Sequence, residues 1–511
     1  MRRSRALSFL LTCAACSAEP TTSLDPDTPD LARAPGGTNT APPAAPEPPA
    51  PEKAPTVAAP RAPVEKEPSS PPAPEAAAAE PDAVPELLAL AREVFVLDRP
   101  RADGKKIGYL RAGARVLRSA EPAGFDGCSG GYYRVAPEGY VCAGPFARLD
   151  ADHPLARLGR VRADRMAPLP YAYAKAGPVP PILYTRLPEQ ADLRWAEPEY
   201  RGRSKSTLPF GLTPESIPDE LAAGRTTPAP FGRYEPSTLN AGRALPDSSF
   251  ALLESFSYAS RTYALSADYL LLPADRLEPV RPSTFRGIAL EPGETQVAFV
   301  MRRGAQRFAG DPARGLRVLR ALDYREAVVL SGKQARVGAG LLRELSNGDW
   351  VRDDGLLLVD TPSDLPSFAR GSTTWIRVSL SRQTLVAYEG ERPVYATLVS
   401  TGKDGAGDPK TTLSTVQGQF RIHTKHVTAR MDNDEPDDEY DHRDVPWVAY
   451  FSEGYALHAA YWHDAFGTPR SHGCVNLSPA DARFLFHWTE PAVPQLWHGA
   501  LGPGTRVVIV E

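Results

Sequence analysis

The chain has 511 residues, 42% hydrophobic and 23% charged, with 58 basic against 62 acidic side chains and a formal net charge of −4. That length allows about three domains with sizeable cores. The near balance of charge excludes the clustered cationic footprint that a nucleic-acid partner requires, so no nucleic acid is expected.

Residues 1–16 read as a secretory signal: Arg2, Arg3 and Arg5 precede an apolar run from Ala6 to Ala15 that is too short to span a bilayer. An exported protein of the periplasm or cell envelope is expected. Ala14 and Ala15 directly before Cys16 resemble the lipobox of bacterial lipoproteins, although Cys13 stands where that motif usually has Leu. The resemblance implies lipidation at Cys16 and attachment to a membrane through the lipid anchor; cleavage near Ala18 without lipid is the alternative. Of the 54 prolines, 19 lie between Glu19 and Pro85, and no aromatic residue occurs between Phe9 and Phe95. Residues 17–86 therefore cannot bury enough apolar surface to offset the entropy of ordering, and a disordered tether is expected. Its reach would be roughly 45 Å as a coil and up to about 200 Å fully extended.

From Glu93 short alternating apolar runs broken by Gly, Pro and Asp suggest a small all-β unit over 87–150, and it resembles a bacterial SH3-type barrel. Cys128 and Cys142 flank its last strands, and in an oxidising compartment a disulfide between them is expected. Residues 165–350 carry strand-like runs among Pro and Gly breaks but no cysteine and no histidine. A β-rich middle domain without its own chemistry is expected there. Thr361 to Phe368 reads as a linker.

Chemistry concentrates in 372–511. Eight of the nine histidines lie after residue 420, as does Cys474, the one cysteine without an obvious mate. Strands are expected from Trp375, Thr384, Pro393, Gln419, Trp447 and Arg506. One helix is expected after Ser478, capped by that serine, with Pro479 in its first turn and an apolar face of Phe484, Leu485 and Trp488. An unpaired cysteine in an exported protein is paired with another chain, buried, or a nucleophile. Gly473 allows close backbone approach to a substrate, and a nearby imidazole, His458 or His472, would favour the thiolate. On residue types alone, nucleophilic acyl transfer, a zinc site and plain structural roles all stay open.

The segment Ser471 to Asn476, SHGCVN, with His458 sixteen residues before the cysteine, resembles the signature of the bacterial L,D-transpeptidase catalytic domain. Leu398 to Gly405 and Thr415 to Ile422 resemble that family's strand ends and its TPxGxF element, with Val416 in place of Pro and Ala459 in place of Gly or Ser after the histidine. The resemblance implies a mainly β, multidomain chain. A C-terminal β-sandwich-like domain with few helices would follow the SH3-like domain and the β-rich middle region. It implies Cys474 as nucleophile and His458 as general base and later acid, with His472 and Ser471 supporting that pair. Ala459 would contribute its backbone carbonyl, and amides around Gly473 and Cys474 the oxyanion hole. Asn476, Tyr455 and Trp462 would shape the substrate end. No cofactor and no metal are implied. The partners would be peptidoglycan stem peptides, with a second stem, an envelope protein, a free D-amino acid or water as acyl acceptor.

The neighbours divide between two readings each. His463 and Asp464 are either rim or structural, and His487 is helix surface or packing. The acidic stretch Met431 to Asp444 is a substrate-facing lid that attracts an acceptor amine, or a solvated charge run. The rival functions are an L,D-carboxypeptidase, a zinc peptidase using His458, His463 or Asp464, His472 and Cys474, and a non-catalytic wall-binding lipoprotein.

Overall fold

The structure is a computed structural model that describes residues 85–150, 161–202, 212–222, 239–360, 365–433 and 439–511, with a few isolated positions between these ranges. The expected signal, Cys16 and nearly all of the tether lie outside the described residues, as do 434–438 of the acidic stretch. The first strand, Glu86–Ala89, begins one residue inside the expected tether.

The described strands form four sheets of 3, 17, 6 and 7 strands, so the fold is mainly β, as expected. The six-stranded sheet is the backbone of the C-terminal part. It runs in the order Ile288–Ala289, Arg392–Leu398, Thr384–Glu389, Thr374–Ser379, Arg506–Val510 and Gly418–Arg421. All its neighbours are antiparallel except Thr374–Ser379 beside Arg506–Val510. Side chains alternate across this sheet, and both faces are covered. Ile376, Val378, Leu385, Ala387, Val507 and Ile509 point into one core. Trp375, Val386, Tyr388 and Val508 point into another. That double burial is why these strands read as near-continuous apolar runs.

The first core is closed from the other side by a second layer. The long hairpin Thr424–Asn433 and Tyr440–Ser452 pairs onward with Tyr455–Ala459, which in turn lies parallel to Val475–Leu477. Trp447, Ala449, Phe451, Leu457 and Leu477 from this layer meet the sheet, giving the sandwich. The helix Pro479–Trp488 covers one end, with the Ser478 hydroxyl accepting from the Asp481 amide at 3.2 Å. Its buried apolar residues are Pro479, Ala482, Leu485 and Phe486, so the apolar face keeps the expected Leu485 but is turned from Phe484 and Trp488, which are only partly buried. Asp481 does more than sit in the first turn: it is fully buried and accepts from Tyr395 Oη at 2.6 Å, Thr397 Oγ1 at 2.5 Å and the Gly287 amide at 2.8 Å.

The region expected as one middle domain contains two sets of strands. Those between Ala172 and Pro279 join the large sheet, whereas those between Val297 and Leu358 form the separate seven-stranded sheet. The latter's Val297 and Phe299 pack into the second core. The unit over 87–150 holds the Cys128–Cys142 disulfide. It docks through Lys106–Leu110, which pairs with Gly499–Leu501. The docking needs glycine at 108, because a Cβ there would lie 2.3 Å from the Trp497 ring. Among the described residues, no helix is long and apolar enough to cross a membrane.

Candidate active site

Cys474 ends a tight turn, Ser471 to Cys474, that feeds the strand Val475–Leu477. Four contacts of two hydroxyl groups set its shape. Ser471 Oγ accepts from the Gly473 amide at 3.0 Å and donates to the Cys474 carbonyl, using both capacities of one hydroxyl. Thr415 Oγ1 donates to the Gly473 carbonyl at 2.7 Å and accepts from the Gly402 amide at 2.9 Å. Gly473 itself sits at φ +134°, and a Cβ there would lie 2.7 Å from the Tyr455 ring. The backbone of the cysteine is thus fixed by its neighbours before any substrate arrives.

Parallel pairing of Leu457 with Val475 and of His458 with Asn476 brings the histidine beside the cysteine turn. His458 Nδ1 lies 3.1 Å from the Ala459 carbonyl. A carbonyl only accepts, so the neutral ring carries its proton on Nδ1 and leaves a lone pair on Nε2. That Nε2 is buried and has no hydrogen-bond partner among the described residues. Burial disfavours the imidazolium and lowers its pKa to about 4, against the opposing pull of the Ala459 carbonyl. His458 is therefore a neutral base across the physiological range. The Cys474 thiol reaches the Gly454 carbonyl at 3.6 Å.

Both groups are shut away: Cys474 is 1% exposed and His458 0%. The cover is the long hairpin, whose Met431, Tyr440, Val445 and Val448 pack with Cys474 in one apolar cluster. The acidic stretch thus forms part of a lid whose inner face is apolar. Its two innermost acids are not free to attract an amine, which corrects that part of the expectation. Asp441 is paired with Arg430 at 2.7 Å and Arg443 at 2.9 Å, and Asp444 with Arg111.

Other expected residues fall as follows. His472 is buried, its ring 5.9 Å from that of Tyr440 on the cover. Trp462 stacks on His442 at 4.4 Å and lies 5.8 Å from the His458 ring, so it backs the base. Tyr455 packs on Gly473. The Gly473 amide, expected among the oxyanion donors, is taken by Ser471 Oγ. Asn476, expected at the substrate end, is 1% exposed, with its carboxamide 3.2 Å from His463 Nε2. His463 is accordingly structural, with burial lowering its pKa to about 3. Burial would raise Asp464, but hydrogen bonds from Arg325 and Ser283 hold its carboxyl below the usual range. His487 packs against the Arg165 carbonyl at 3.2 Å. Among the described residues no group of three or more His, Cys, Asp or Glu side chains is placed to hold a metal ion.

Sequence reasoning missed His442. It sits in the acidic stretch with no motif around it. Its Nδ1 lies 3.0 Å from Ser249 Oγ, which contacts Tyr461 Oη at 2.6 Å, and its ring forms the stack on Trp462. No local signal could have found a partner 193 residues away in the chain.

Comparison with known proteins agrees with the location of this site. Residues 373–509 match the family model of the YkuD L,D-transpeptidase catalytic domain. No curated protein matches the chain. Among solved structures, an Enterococcus faecium L,D-transpeptidase is similar at 22% identity, over 27% of this chain and 49% of that one, with a TM-score of 0.21. A Xylanimonas cellulosilytica L,D-transpeptidase is 22% identical over 30% of this chain and 64% of its own, with a TM-score of 0.20. L,D-transpeptidase 3 of Mycobacterium tuberculosis, solved with a faropenem-derived adduct, is 20% identical over 36% of this chain and 79% of its own, with a TM-score of 0.22. The chain thus spans about half the length of the first of these proteins.

Proposed function

We propose that this protein is a peptidoglycan L,D-transpeptidase in which Cys474 carries the acyl group. One observation supports this above the others: a neutral imidazole with its proton held on Nδ1 by the Ala459 carbonyl, and a bare Nε2, near the one described cysteine that is not in a disulfide. His458 Nε2 takes the thiol proton as the sulfur attacks the carbonyl of the third residue of a tetrapeptide stem. The tetrahedral intermediate collapses, the C–N bond breaks, and the same proton passes to the departing D-Ala amine. A thioester remains. An acceptor amine then attacks it, His458 takes the amine proton, and the C–S bond breaks to give a 3→3 cross-link and the free thiol. Buried and neutral, His458 suits the base role because it needs no deprotonation at neutral pH.

The apolar cover must move for a peptide to reach Cys474. The strand Tyr440–Ser452 of the cover carries two non-glycine residues with positive φ, Asp444 at 58° and Trp447 at 59°. We also take the chain to be exported and anchored through Cys16, a reading that rests on residues 1–16 alone.

The test is incubation of the folded protein with a disaccharide-tetrapeptide. Release of D-Ala with a cross-linked dimer by mass is expected. Release with only the tripeptide would make the protein an L,D-carboxypeptidase, and no D-Ala release from folded protein would overturn the proposal.

A further inference from the structure

A second site lies away from the thiol. An open cavity of about 80 Å³ sits between residues 111–114 of the first β unit, 161–165, the segments around Leu253 and Tyr269, and 495–498 of the C-terminal part. Neither Cys474 nor His458 lines it. Three arginines do, Arg111, Arg162 and Arg165, and no aspartate or glutamate is among the lining residues.

The three guanidinium groups differ in how their charge is met. Arg111 is balanced by Asp444 and Asp268 from outside the cavity wall. Arg165 is 8% exposed, yet its partners are backbone carbonyls only, Val493 at 2.8 Å and Trp497. Burial without a counter-charge lowers its pKa to about 10. Arg162 is exposed at the rim and has no hydrogen bond or ion pair among the described residues. Burial lowers its pKa too, and Glu86, the acid acting on it from a distance, is paired with Arg115 at 3.3 Å. His498, also in the lining, has its pKa pushed well down by burial, so it adds a neutral ring. A buried cation without an acid is costly to hold. Arg165 is one, and with Arg162 at the rim it leaves the cavity short of negative charge, while Tyr171, Tyr269 and Trp497 supply flat walls around them.

We infer that this cavity binds an oxyanion, a carboxylate or a phosphate group on a small organic molecule, through Arg162 and Arg165. Guanidinium groups present paired N–H donors that match both anions in plane. The inference is independent of the activity proposed for Cys474.

Inorganic phosphate, and a tetrapeptide stem with either a free or an amidated C-terminus, are the probes. Each is titrated by calorimetry into the full chain at constant ionic strength set with chloride. Phosphate binding without peptide binding identifies a phosphate ligand; binding of the free but not the amidated peptide identifies a carboxylate. Arg162→Gln, which removes no internal contact, is expected to weaken either by about ten- to a hundred-fold, and Arg162→Lys to restore part of the loss. Acylation at Cys474 is expected to be unchanged in both variants. No binding of any probe to the folded protein, or equal binding by Arg162→Gln, would overturn the site.

Discussion

The cysteine turn and the cover above it are built in opposite ways. The nucleophile is shaped within the catalytic part alone: by Ser471, Gly473 and the strand pairing of His458 with Asn476, by the backbone of 400–403 that pairs with Ser471 and Asn476, and by Thr415. The cover is held by groups far apart in the chain. Arg111 of the first β unit bonds Asp444 across 333 residues and Thr428 Oγ1 at 2.8 Å. Asp268 joins Arg111 at 3.3 Å to Arg443 at 3.0 Å, and Tyr173 Oη donates to the Asp444 carbonyl at 2.6 Å. The turn is thus held from within the C-terminal part, while the cover is tied to segments far away in the chain.

The comparison can be broken first at the turn. Replacing Cys474 by Ala is expected to reduce D-Ala release by roughly 10⁴-fold or more while leaving the fold and the cover intact. His458→Gln should slow acylation by about 10²- to 10⁴-fold, read as single-turnover release. Loss of folding in either variant, judged by circular dichroism, would contradict the separation of chemistry from architecture.

At the cover the effect is on stability and access. Asp444→Asn leaves the buried Arg111 short of a charge, and breaking such a pair costs about 3–5 kcal/mol. Urea unfolding should show that loss, and alkylation of Cys474 by iodoacetamide should speed up because the cover is no longer tied. Slower or unchanged alkylation in a folded variant would mean that the network does not control access.

Acid should act on both regions together. Burial lowers the pKa of His426, His442 and His458 to about 4 and that of His463 to about 3, from 6.5. Below pH 6.5 the unfolded chain takes up protons that the folded chain refuses. Stability is therefore full above about pH 6.5 and falls as the pH drops toward 4. Denaturation midpoints at pH 7, 6 and 5 should decline in that order, and a flat series would contradict the burial of these rings. The smallest change is Ser249→Ala, which removes the contacts to His442 and Tyr461 and should cost about 1 kcal/mol in the same assay.

What could be read from the sequence follows the same division. The SHGC turn, the spaced histidine and the capped helix were legible because each is set by neighbouring residues, as with Ser478 accepting from Asp481. The β character was legible through alternation. The contacts of Ser471 Oγ with the Gly473 amide and of His463 with Asn476 were not legible, because they depend on how the turn closes. Arg111, Asp268 and His442 were invisible, since an ion pair or a stack between distant segments leaves no pattern in either. The division of the middle region into two sets of strands was hidden for the same reason, as it depends on which strands pair.

The central claim, that Cys474 is an acyl-carrying nucleophile beneath a movable cover, is tested most directly by intact-mass analysis after exposure to faropenem, whose strained lactam acylates a thiol without needing a peptide leaving group. The account predicts a single covalent adduct on the folded chain, absent from the Cys474→Ala variant. An adduct of equal yield in that variant, or none on the folded native protein after prolonged exposure, would contradict it.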